Sequence, residues 1–442
     1  MTLKTALIGG AGILLALGAQ AGGAQALDVL AVKAQIDQGL SSDYPHLDAL
    51  YKDIHAHPEL GFQEQATAAK LAKEMRGLGL EVTEGVGKTG VVAILRNGPG
   101  PMVLVRTELD ALPLEEKTGL PYASAAHQMR EGKDTFVDHA CGHDIHMAVW
   151  VGVAKQLVAL QKSWSGTVMF IGQPAEETTG GAKAMLDDHL FQRFGKPDLG
   201  FALHVGPEET GTVDFKSGVL TSNSDELHVI FHGQGAHGSM PNKGVDPILE
   251  MSKFIVDVQS VISREKDPQA FGVITVGSVQ AGVAGNVIPD MARLSGTIRS
   301  YDAGVRAKML AGIDRTAKAE AEMAGAPPPE VRIVEGGKAV INDEAITERT
   351  AAVFKKAFGD KAIRLTSPSP PSEDYSEFIL AGVPSLFFGI GGSDPAIIAA
   401  ARAGGKPVPV NHSPFFAPVP EPTIKTGVEA MTLAVISALP RK

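Results

Sequence analysis

The sequence predicts an α/β fold in which a central mixed sheet is flanked by helices and a smaller domain is inserted into the larger one. Between about residues 65 and 206, apolar strands alternate with helical patterns, and this alternation resumes after about residue 338. Between the two stretches, the pattern follows the order β-α-β-β-α-β, which is typical of a ferredoxin-like unit. An inserted domain accounts for both observations.

The first stretch contains three helical patterns and four strand patterns. Apolar residues at helical spacing predict helices over residues 65–80, 145–161 and 180–191. Asp144 is placed to cap the second of these helices. Runs rich in β-branched residues predict strands over residues 90–97, 101–113, 166–174 and 197–206.

The remaining elements define the insertion and the return to the larger domain. The insertion is predicted to contain, in order, strand 225–235, helix 246–264, strands 271–282 and 287–300, helix 303–324 and strand 330–337. A helix over 343–358, a strand over 383–392 and a helix over 422–438 follow. We therefore predict a larger domain formed by residues 27–218 and 338–442, interrupted by a smaller inserted domain over residues 219–337; the resemblance described below implies that these are the catalytic domain and its lid.

The N-terminal residues are typical of a secretory signal peptide. Lys4 precedes a short apolar run, and two A-Q-A sites end at Ala21 and Ala26. The apolar run is too short and too rich in glycine to span a membrane comfortably. Residues 1–26 are thus predicted to be removed, leaving a secreted or periplasmic protein with no membrane association.

Composition excludes one class of partner. The net charge is −10 and the basic residues are not clustered, so a surface that follows nucleic-acid phosphates is not expected. The hydrophobic fraction of 44% is that of an ordinary globular protein. A small-molecule substrate fits these numbers.

Cys141, the only cysteine in the sequence, lies two residues before His143 at the start of a predicted helix. Further donors follow the strands or lie in loops: Glu176, Glu177, His204 and His412. Ligand sites in open α/β sheets lie at the carboxyl ends of the strands, and a mixed S, N and O set suits Zn²⁺ or a similar divalent ion. A thiol hydrolase using Cys141 and His143, or a metal- or amino-acid-binding protein without catalysis, is an alternative.

Ten motifs are similar to those of the M20 metallopeptidases, in particular the amidohydrolase branch of hippurate, auxin-conjugate and N-acyl-amino-acid hydrolases. They occur in order from about residue 50 to the C-terminus: HPELGFQEQAT, RTELDALP, HACGHDIHMA, QPAEETTGGAKAM, ALHVGP, GAHGSMPNKGVDP, NVIPD, GTIRS, SEDYSEF and NHSPFF. The resemblance implies metal-dependent hydrolysis of the amide bond of N-acyl amino acids or dipeptide-like substrates. It also implies that the β-α-β-β-α-β segment is the family's lid, through which two chains can form a homodimer.

The resemblance also implies residue roles. Two divalent ions, Zn²⁺ or Mn²⁺ with Co²⁺ or Ni²⁺ as alternatives, would be held by Cys141, His143, Glu177, His204 and His412. Glu176 would be the general base, and Asp110 would orient a ligating imidazole, His143. In the lid, the substrate-contacting residues would be His237, Asn286 and Arg299, with His237 also stabilising the oxyanion and Arg299 binding a carboxylate.

Several positions depart from the family pattern. Glu108 stands where the family has aspartate, Asn242 stands where a histidine is frequent, and the stretch 124–139 is longer and more polar than usual. Three further imidazoles have no family role and are expected at the surface or at the helix start: His127, His139 and His146.

Overall fold

The computed structural model describes residues 27–441, so the predicted signal peptide lies outside the described residues. The helices are α1 (Val29–Ala56), α2 (Gln65–Gly77), α3 (His143–Ala159), α4 (Gly181–Asp187), α5 (Leu190–Phe194), α6 (Pro247–Asp257), α7 (Ala303–Ala324), α8 (Glu344–Phe358), α9 (Ser376–Leu380), α10 (Pro395–Arg402) and α11 (Pro420–Ala438). Among the described residues, no helix is both long enough and apolar enough to cross a membrane.

The strands form one large sheet, one four-stranded sheet and three short pairs. They are β1 (Glu81–Val86), β2 (Gly90–Arg96), β3 (Met102–Glu108), β4 (His127–Arg130), β5 (Lys133–Phe136), β6 (Thr167–Gln173), β7 (Leu199–Glu209), β8 (Val213–Phe215), β9 (Gly218–Val219), β10 (Asn223–His232), β11 (Ala236–His237), β12 (Gly272–Ala281), β13 (Val287–Ile288), β14 (Met291–Ser300), β15 (Glu330–Glu335), β16 (Ile341–Asn342), β17 (Ala362–Arg364) and β18 (Ser385–Ser393).

The large sheet is mixed, as predicted. Its eight strands lie in the order β1-β2-β6-β3-β7-β18-β8-β17. Strands β6, β3, β7 and β18 run parallel, whereas β1 and β2 at one edge pair antiparallel. The parallel centre therefore directs several strands toward one edge, where the loops after β3 and β6 lie side by side.

Alternation along each strand builds two hydrophobic layers, one on each face of the large sheet. In β3, Val103 and Val105 join a core that includes Trp150 of α3 and residues of α1, α8 and α11. Leu104 between them joins the opposite core, which contains Met185 of α4 and residues of α9. Helices thus flank the sheet on both faces, which confirms the predicted α/β class.

The insertion contains the second sheet, in the order β12-β14-β10-β15, and every pair in it is antiparallel. Helices α6 and α7 pack on it through a core that includes Phe231, Phe254 and Met309. The chain order is the β-α-β-β-α-β order predicted from the pattern, with the short pair β11–β13 added. The domain boundaries at residues 218 and 337 stay predictions.

Some elements differ from the predictions. The 28-residue helix α1 was not predicted, and it contains Pro45. The helix predicted over 180–191 is divided into α4 and α5, because His189 between them has a left-handed backbone with φ 59°. The helix predicted over 246–264 is shorter in the structure. It forms α6, which ends at Asp257, and a π-helical segment follows at Val261–Glu265.

The predicted cap of α3 is wrong. Gly142, with φ 89°, occupies the N-cap position, a left-handed conformation that glycine adopts without steric cost. Asp144 lies inside the first turn, where its Oδ1 accepts a hydrogen bond from the Ile145 amide at 2.9 Å. Its other oxygen, Oδ2, lies 2.6 Å from Nδ1 of His55, a residue 89 positions earlier in the chain.

Candidate metal centre and active site

A cavity of about 880 Å³ lies between the edge of the large sheet and the lid domain. The loop after β6, the segment just before α3, strands β7 and β18 and the loop before α11 contribute lining residues. Four of the five predicted metal ligands line it: Cys141, Glu177, His204 and His412. The fifth, His143, is fully buried beside them.

Short distances connect the five side chains. Cys141 Sγ lies 3.3 Å from His204 Nε2, and His412 Nε2 lies 3.4 Å from Glu177 Oε2. His143 Nε2 lies 3.9 Å from Glu177 Oε1. The donor atoms form overlapping groups, one of Cys141, His143 and His204 and one of Cys141, Glu177 and His412, each spanning no more than 4.8 Å. Cys141 belongs to both groups, and together the five side chains would hold two divalent ions.

Unpartnered buried atoms fit this donor set to metal ions. His143 Nε2 and Glu177 Oε1 are buried without a hydrogen-bond partner. The Nδ1 atoms of both imidazoles are used, since His143 Nδ1 lies 2.8 Å from the Asp110 main-chain oxygen and Nδ1 of the half-buried His204 lies 2.8 Å from that of Val205. A histidine that donates from Nδ1 to a carbonyl presents Nε2 as a metal ligand.

The raised pKa values of the two glutamates also fit a site for divalent cations. Burial, opposed by His143 and reinforced by Asp110, raises the pKa of Glu177 to about 7. Burial and the charges of Glu373 and Glu177 raise the pKa of Glu176 well above its usual range. Carboxylates that are difficult to ionise in the protein alone are stabilised as anions by a divalent cation.

The same surroundings disfavour a thiol nucleophile. Burial, together with the charges of Glu177 and Glu176, raises the pKa of the Cys141 thiol well above its ordinary value. A catalytic cysteine requires the opposite environment, one that lowers the pKa of the thiol. In addition, Cys141 Sγ lies 3.3 Å from Nε2 of His204, whereas the alternative prediction paired Cys141 with His143.

Left-handed backbone conformations help to position the glutamate pair and His412. Ala175, just before the glutamate pair, has φ 49°, and His412 has φ 67°. Glu64 fixes the first turn, because its Oε1 accepts from the Ala175 amide at 2.7 Å and its Oε2 from Thr89 Oγ1 at 2.6 Å. Left-handed backbone at non-glycine residues concentrates at functional sites, where surrounding contacts hold it.

Asp110 lies beside His143, but the contact differs from the one expected. The main-chain oxygen of Asp110 is at 2.8 Å from His143 Nδ1, whereas its carboxylate Oδ1 is at 3.5 Å. The other oxygen, Oδ2, accepts from the Glu177 amide at 2.9 Å. Asp110 therefore contacts both a candidate ligand and the backbone of another.

Two of the three extra histidines are not at the surface. His127 is exposed and His146 lies in the first turn of α3, as expected, although His146 is only 2% exposed; His139, also 2% exposed, precedes the helix, so the expectation is wrong for His139. His146 Nδ1 lies 2.9 Å from Glu108 Oε2, and its Nε2 accepts from the Val205 amide at 2.8 Å. Both nitrogens of His146 are thus used, which leaves none for a metal ion.

A buried ion network beneath the cavity was missed by sequence reasoning. Arg106 is fully buried and binds Glu108, Glu373 at 2.6 Å and Asp374 at 3.4 Å, and its Nε donates to Gln173 Oε1 at 2.9 Å. The signal available was a charged residue within the apolar strand VLVRTE, together with the acidic pair in SEDYSEF. The network connects Glu108, and through it His146, to the walls of the cavity.

The three lid residues lie in different places. Arg299 on β14 lines the cavity, and its Nη1 donates to Ser372 Oγ at 3.0 Å. Burial lowers the pKa of its guanidinium despite the nearby charge of Asp225. His237 and Asn286 are exposed and do not line the cavity. Asn242 is also exposed, in a short 3₁₀ turn at Pro241–Lys243.

The fold and the site define a metal-dependent hydrolase with a centre for two divalent ions and an inserted domain over its cleft. The family model described as peptidase family M20/M25/M40 matches residues 104–432. The chain belongs to this family. It is a hydrolase that cleaves amide bonds with the help of divalent metal ions.

Individual relatives extend the match over most of the chain. A hippurate hydrolase of Campylobacter jejuni is 38% identical over 331 residues, which cover 74% of this chain and 82% of the relative. An N-acetyl-L-cysteine deacetylase of Bacillus subtilis is 34% identical over 381 residues, or 83% and 85% of the two chains. The crystal structure of a dinuclear metal-binding M20 peptidase from Bacillus subtilis superposes with a TM-score of 0.73 at 27% identity, covering 90% of this chain and 99% of that one.

Proposed function

We propose that the substrates are N-acyl amino acids or dipeptide-like molecules with a free carboxylate next to the scissile amide. One observation carries this proposal: a single cavity joins the candidate metal ligands to the half-buried guanidinium of Arg299. A planar guanidinium can bind both oxygens of a carboxylate. The names of the two relatives, a hippurate hydrolase and an N-acetyl-L-cysteine deacetylase, also describe the cleavage of N-acyl amino acids.

In the proposed reaction, Cys141, His143, Glu177, His204 and His412 hold the cations. Divalent ions supply a Lewis acid for the scissile carbonyl and lower the pKa of water. Glu176 lines the cavity with its Oε2 at 3.8 Å from His143 Nε2, so it reaches the metal centre. It accepts the proton of the attacking water and transfers it to the leaving amine, and Asp110 keeps His143 in the ligating tautomer.

The lid residues bind the rest of the substrate. Arg299 binds the substrate carboxylate. His237 and Asn286 are assigned to the carbonyl oxygen and the adjoining backbone of the substrate, and in the described arrangement they would reach it only after the lid changes position or from a second copy of the chain.

We also propose a homodimer formed through the lid. Strand β12 is an edge of the lid sheet, and four apolar side chains near this edge are at least 40% exposed: Val279, Val283, Val287 and Met291. An edge strand with apolar neighbours is suited to pairing with another chain. Val279→Lys should convert a dimer to a monomer in sedimentation equilibrium, while a wild-type monomer at high concentration would refute the proposal.

Export to the periplasm or the exterior is proposed from the sequence alone. Residues 1–26 have the order of a positive start, a short apolar run and small-residue cleavage sites. N-terminal sequencing of the mature protein should begin at Gly22 or Leu27. A mature chain that retains Met1 would contradict cleavage.

A substrate screen tests the proposed function. Protein reconstituted with Zn²⁺ or Mn²⁺ is incubated with a library of N-acyl amino acids and dipeptides, and free amino acids are detected by mass spectrometry. The matched control is Glu176→Gln, which should release little product from the same library. Release only from compounds without a free carboxylate would contradict the proposed substrate class.

A further inference from the structure

A second group of buried titratable side chains lies outside the metal centre already described. His55 ends α1, Glu116 lies in the segment after β3, and Asp138 immediately precedes the His139–His143 motif. One donor atom from each lies within 4.8 Å of the others. None of the three is among the five ligands proposed for the catalytic ions, and the side chains of His55 and Glu116 are only 3% and 0% exposed.

The geometry around His55 has the form of a carboxylate–histidine–metal arrangement. Its Nδ1 lies 2.6 Å from Asp144 Oδ2, which fixes the ring orientation, and its Nε2 lies 3.2 Å from Glu116 Oε1. The rings of Tyr51 and Tyr122 pack against His55 with centroids at 5.7 and 5.3 Å. A histidine held at Nδ1 by a carboxylate presents Nε2 to a cation.

Asp138 provides the independent observation. It is 2% exposed, and its Oδ2 is buried without any hydrogen-bond partner among the described residues. Burial and the negative charges of Glu116 and Asp144 raise the pKa of Asp138 to about 7. His55 and a backbone hydrogen bond from His139 oppose this shift without cancelling it, and a buried carboxylate oxygen without a hydrogen-bond partner is costly to keep.

The local charges also favour a cation at this place. Three carboxylates, those of Glu116, Asp138 and Asp144, lie around the imidazole of His55, and burial lowers the pKa of the neighbouring His139 imidazole to about 4, which favours its neutral form. The contacts with Asp144 and Glu116 outweigh burial and raise the pKa of His55 to about 10, so even an imidazolium ion compensates only one of the three negative charges. Once the imidazole is neutral and ligating, a divalent cation would compensate two of the three carboxylate charges, one more than the imidazolium ion does.

We propose that His55 Nε2, Glu116 and Asp138 bind a third divalent ion, of the Zn²⁺ or Mn²⁺ kind, with Asp144 orienting His55. The ligand set of one imidazole and two carboxylates suits these ions. The ion has a structural role: it links the end of α1 to the segment that leads into Cys141 and His143. It therefore supports the position of the catalytic ligands without contacting the substrate.

Metal stoichiometry tests the third site. Metal-free full-length protein is reconstituted with excess Zn²⁺, desalted and analysed by mass spectrometry for bound zinc. Asp138→Asn should retain one equivalent less than the wild type. The control is Asp134→Asn, an exposed residue of the preceding strand β5 that pairs with His127, and it should match the wild type. Equal zinc content in wild type and Asp138→Asn would overturn the proposal.

The direction in which Asp138→Asn changes Tm distinguishes a cation site from a cluster of acidic side chains that binds no ion. With a bound ion, Asp138→Asn should lower Tm in Zn²⁺, and the difference should vanish in a chelator. Without one, removal of an unpartnered buried charge should leave Tm unchanged or raise it in both conditions. If the variant does not fold, wild-type crystals grown with Zn²⁺ decide: an anomalous peak between His55 and Asp138 supports the site, and peaks confined to Cys141 and its neighbours exclude it.

Discussion

The catalytic part and the lid domain both bury carboxylates without hydrogen-bond partners, but the surroundings of these carboxylates differ. Glu177 Oε1 lies near the imidazole of His143, and the same side chain contacts His412. In the lid, both oxygens of Glu250 and one of Glu320 are unpartnered where α6 and α7 meet, and the charges that act on them come mainly from other acids. In this protein, a buried carboxylate without a hydrogen-bond partner therefore indicates a metal site only where nitrogen or sulfur ligand atoms lie close to it.

The two regions also differ in how far they are prepared for the substrate. The five candidate ligands already lie together, and hydrogen bonds fix the buried imidazoles. Of the three lid residues, only Arg299 faces the cavity, while His237 and Asn286 are exposed. The metal-binding side is thus preorganised, and completion of the substrate-binding side depends on the lid.

Metal removal should have the largest effect, and only on the catalytic part. Exhaustive chelation should abolish hydrolysis, and added Zn²⁺, Mn²⁺ or Co²⁺ should restore it, because the water and the carbonyl both depend on the cation. Hydrolysis assays with parallel metal analysis measure this. Cys141→Ser should weaken metal binding in the same assay. Hydrolysis at the full rate by metal-free protein would show that the catalytic part does not depend on a metal ion.

The adjacent glutamates should separate chemistry from metal binding. Glu176→Gln should lower kcat by about 10²–10⁴-fold, the usual contribution of a general base, with metal content unchanged. Glu177→Gln should instead lose metal, since Glu177 contacts both His143 and His412. The opposite pattern in metal analysis would show that the two roles are transposed.

Substitution of Arg299 tests whether the lid binds the substrate carboxylate. Charged hydrogen bonds contribute about 1.5–3 kcal/mol each, so Arg299→Ala should reduce kcat/KM by roughly ten- to several-hundred-fold. The loss should be much smaller on substrates whose carboxylate is amidated. Arg293→Ala is the matched control, an exposed arginine on the same strand that does not line the cavity. Equal losses on the acid and its amide would mean that Arg299 does not contact the carboxylate.

Local patterns were sufficient for much of the fold. The β-α-β-β-α-β order of the lid was readable because each element carries its own periodicity, and α7 begins and ends at the predicted residues. Helix α1 was missed because Gly39 and Pro45 interrupt its pattern. Its stability comes from packing, in which Ile36, Leu47 and Ile54 join the main core.

In the site, residue types and motif resemblance predicted which ligands would converge, but not the contacts that support them. His146 was expected at the surface or at the start of a helix, and it lies in the first turn of α3, but its burial was not predicted. Its partners, Glu108 and the Val205 amide, lie 38 and 59 positions away, and only the three-dimensional fold brings them together. The same holds for Arg106 and Glu373, which are 267 positions apart.

The smallest predicted effect concerns the buried acids of the lid. Burial, reinforced by Asp246 and Glu320, raises the pKa of Glu250 from 4.5 to about 7. The groups facing Glu320 are Asp257, which raises its pKa further, and Lys253, which opposes the shift.

A raised carboxyl pKa means that the folded protein binds the proton more tightly than the unfolded chain. The stabilisation is present below pH 4.5 and is lost as the pH rises through about 7. Glu250→Gln should therefore raise Tm by about 2–4 °C near pH 8.5, where the wild-type carboxylate is ionised, and change it little near pH 5.

Thermal unfolding at both pH values, followed by circular dichroism, measures this difference. Glu322→Gln, an exposed neighbour on α7, is the control and should have no effect at either pH. The comparison of the two regions predicts that the gain is the same with and without chelator, because no nitrogen or sulfur donor is among the groups acting on Glu250. If added Zn²⁺ stabilises the wild type and the Glu250→Gln variant does not respond, the lid acids bind a cation as well, and the distinction drawn from their neighbours fails.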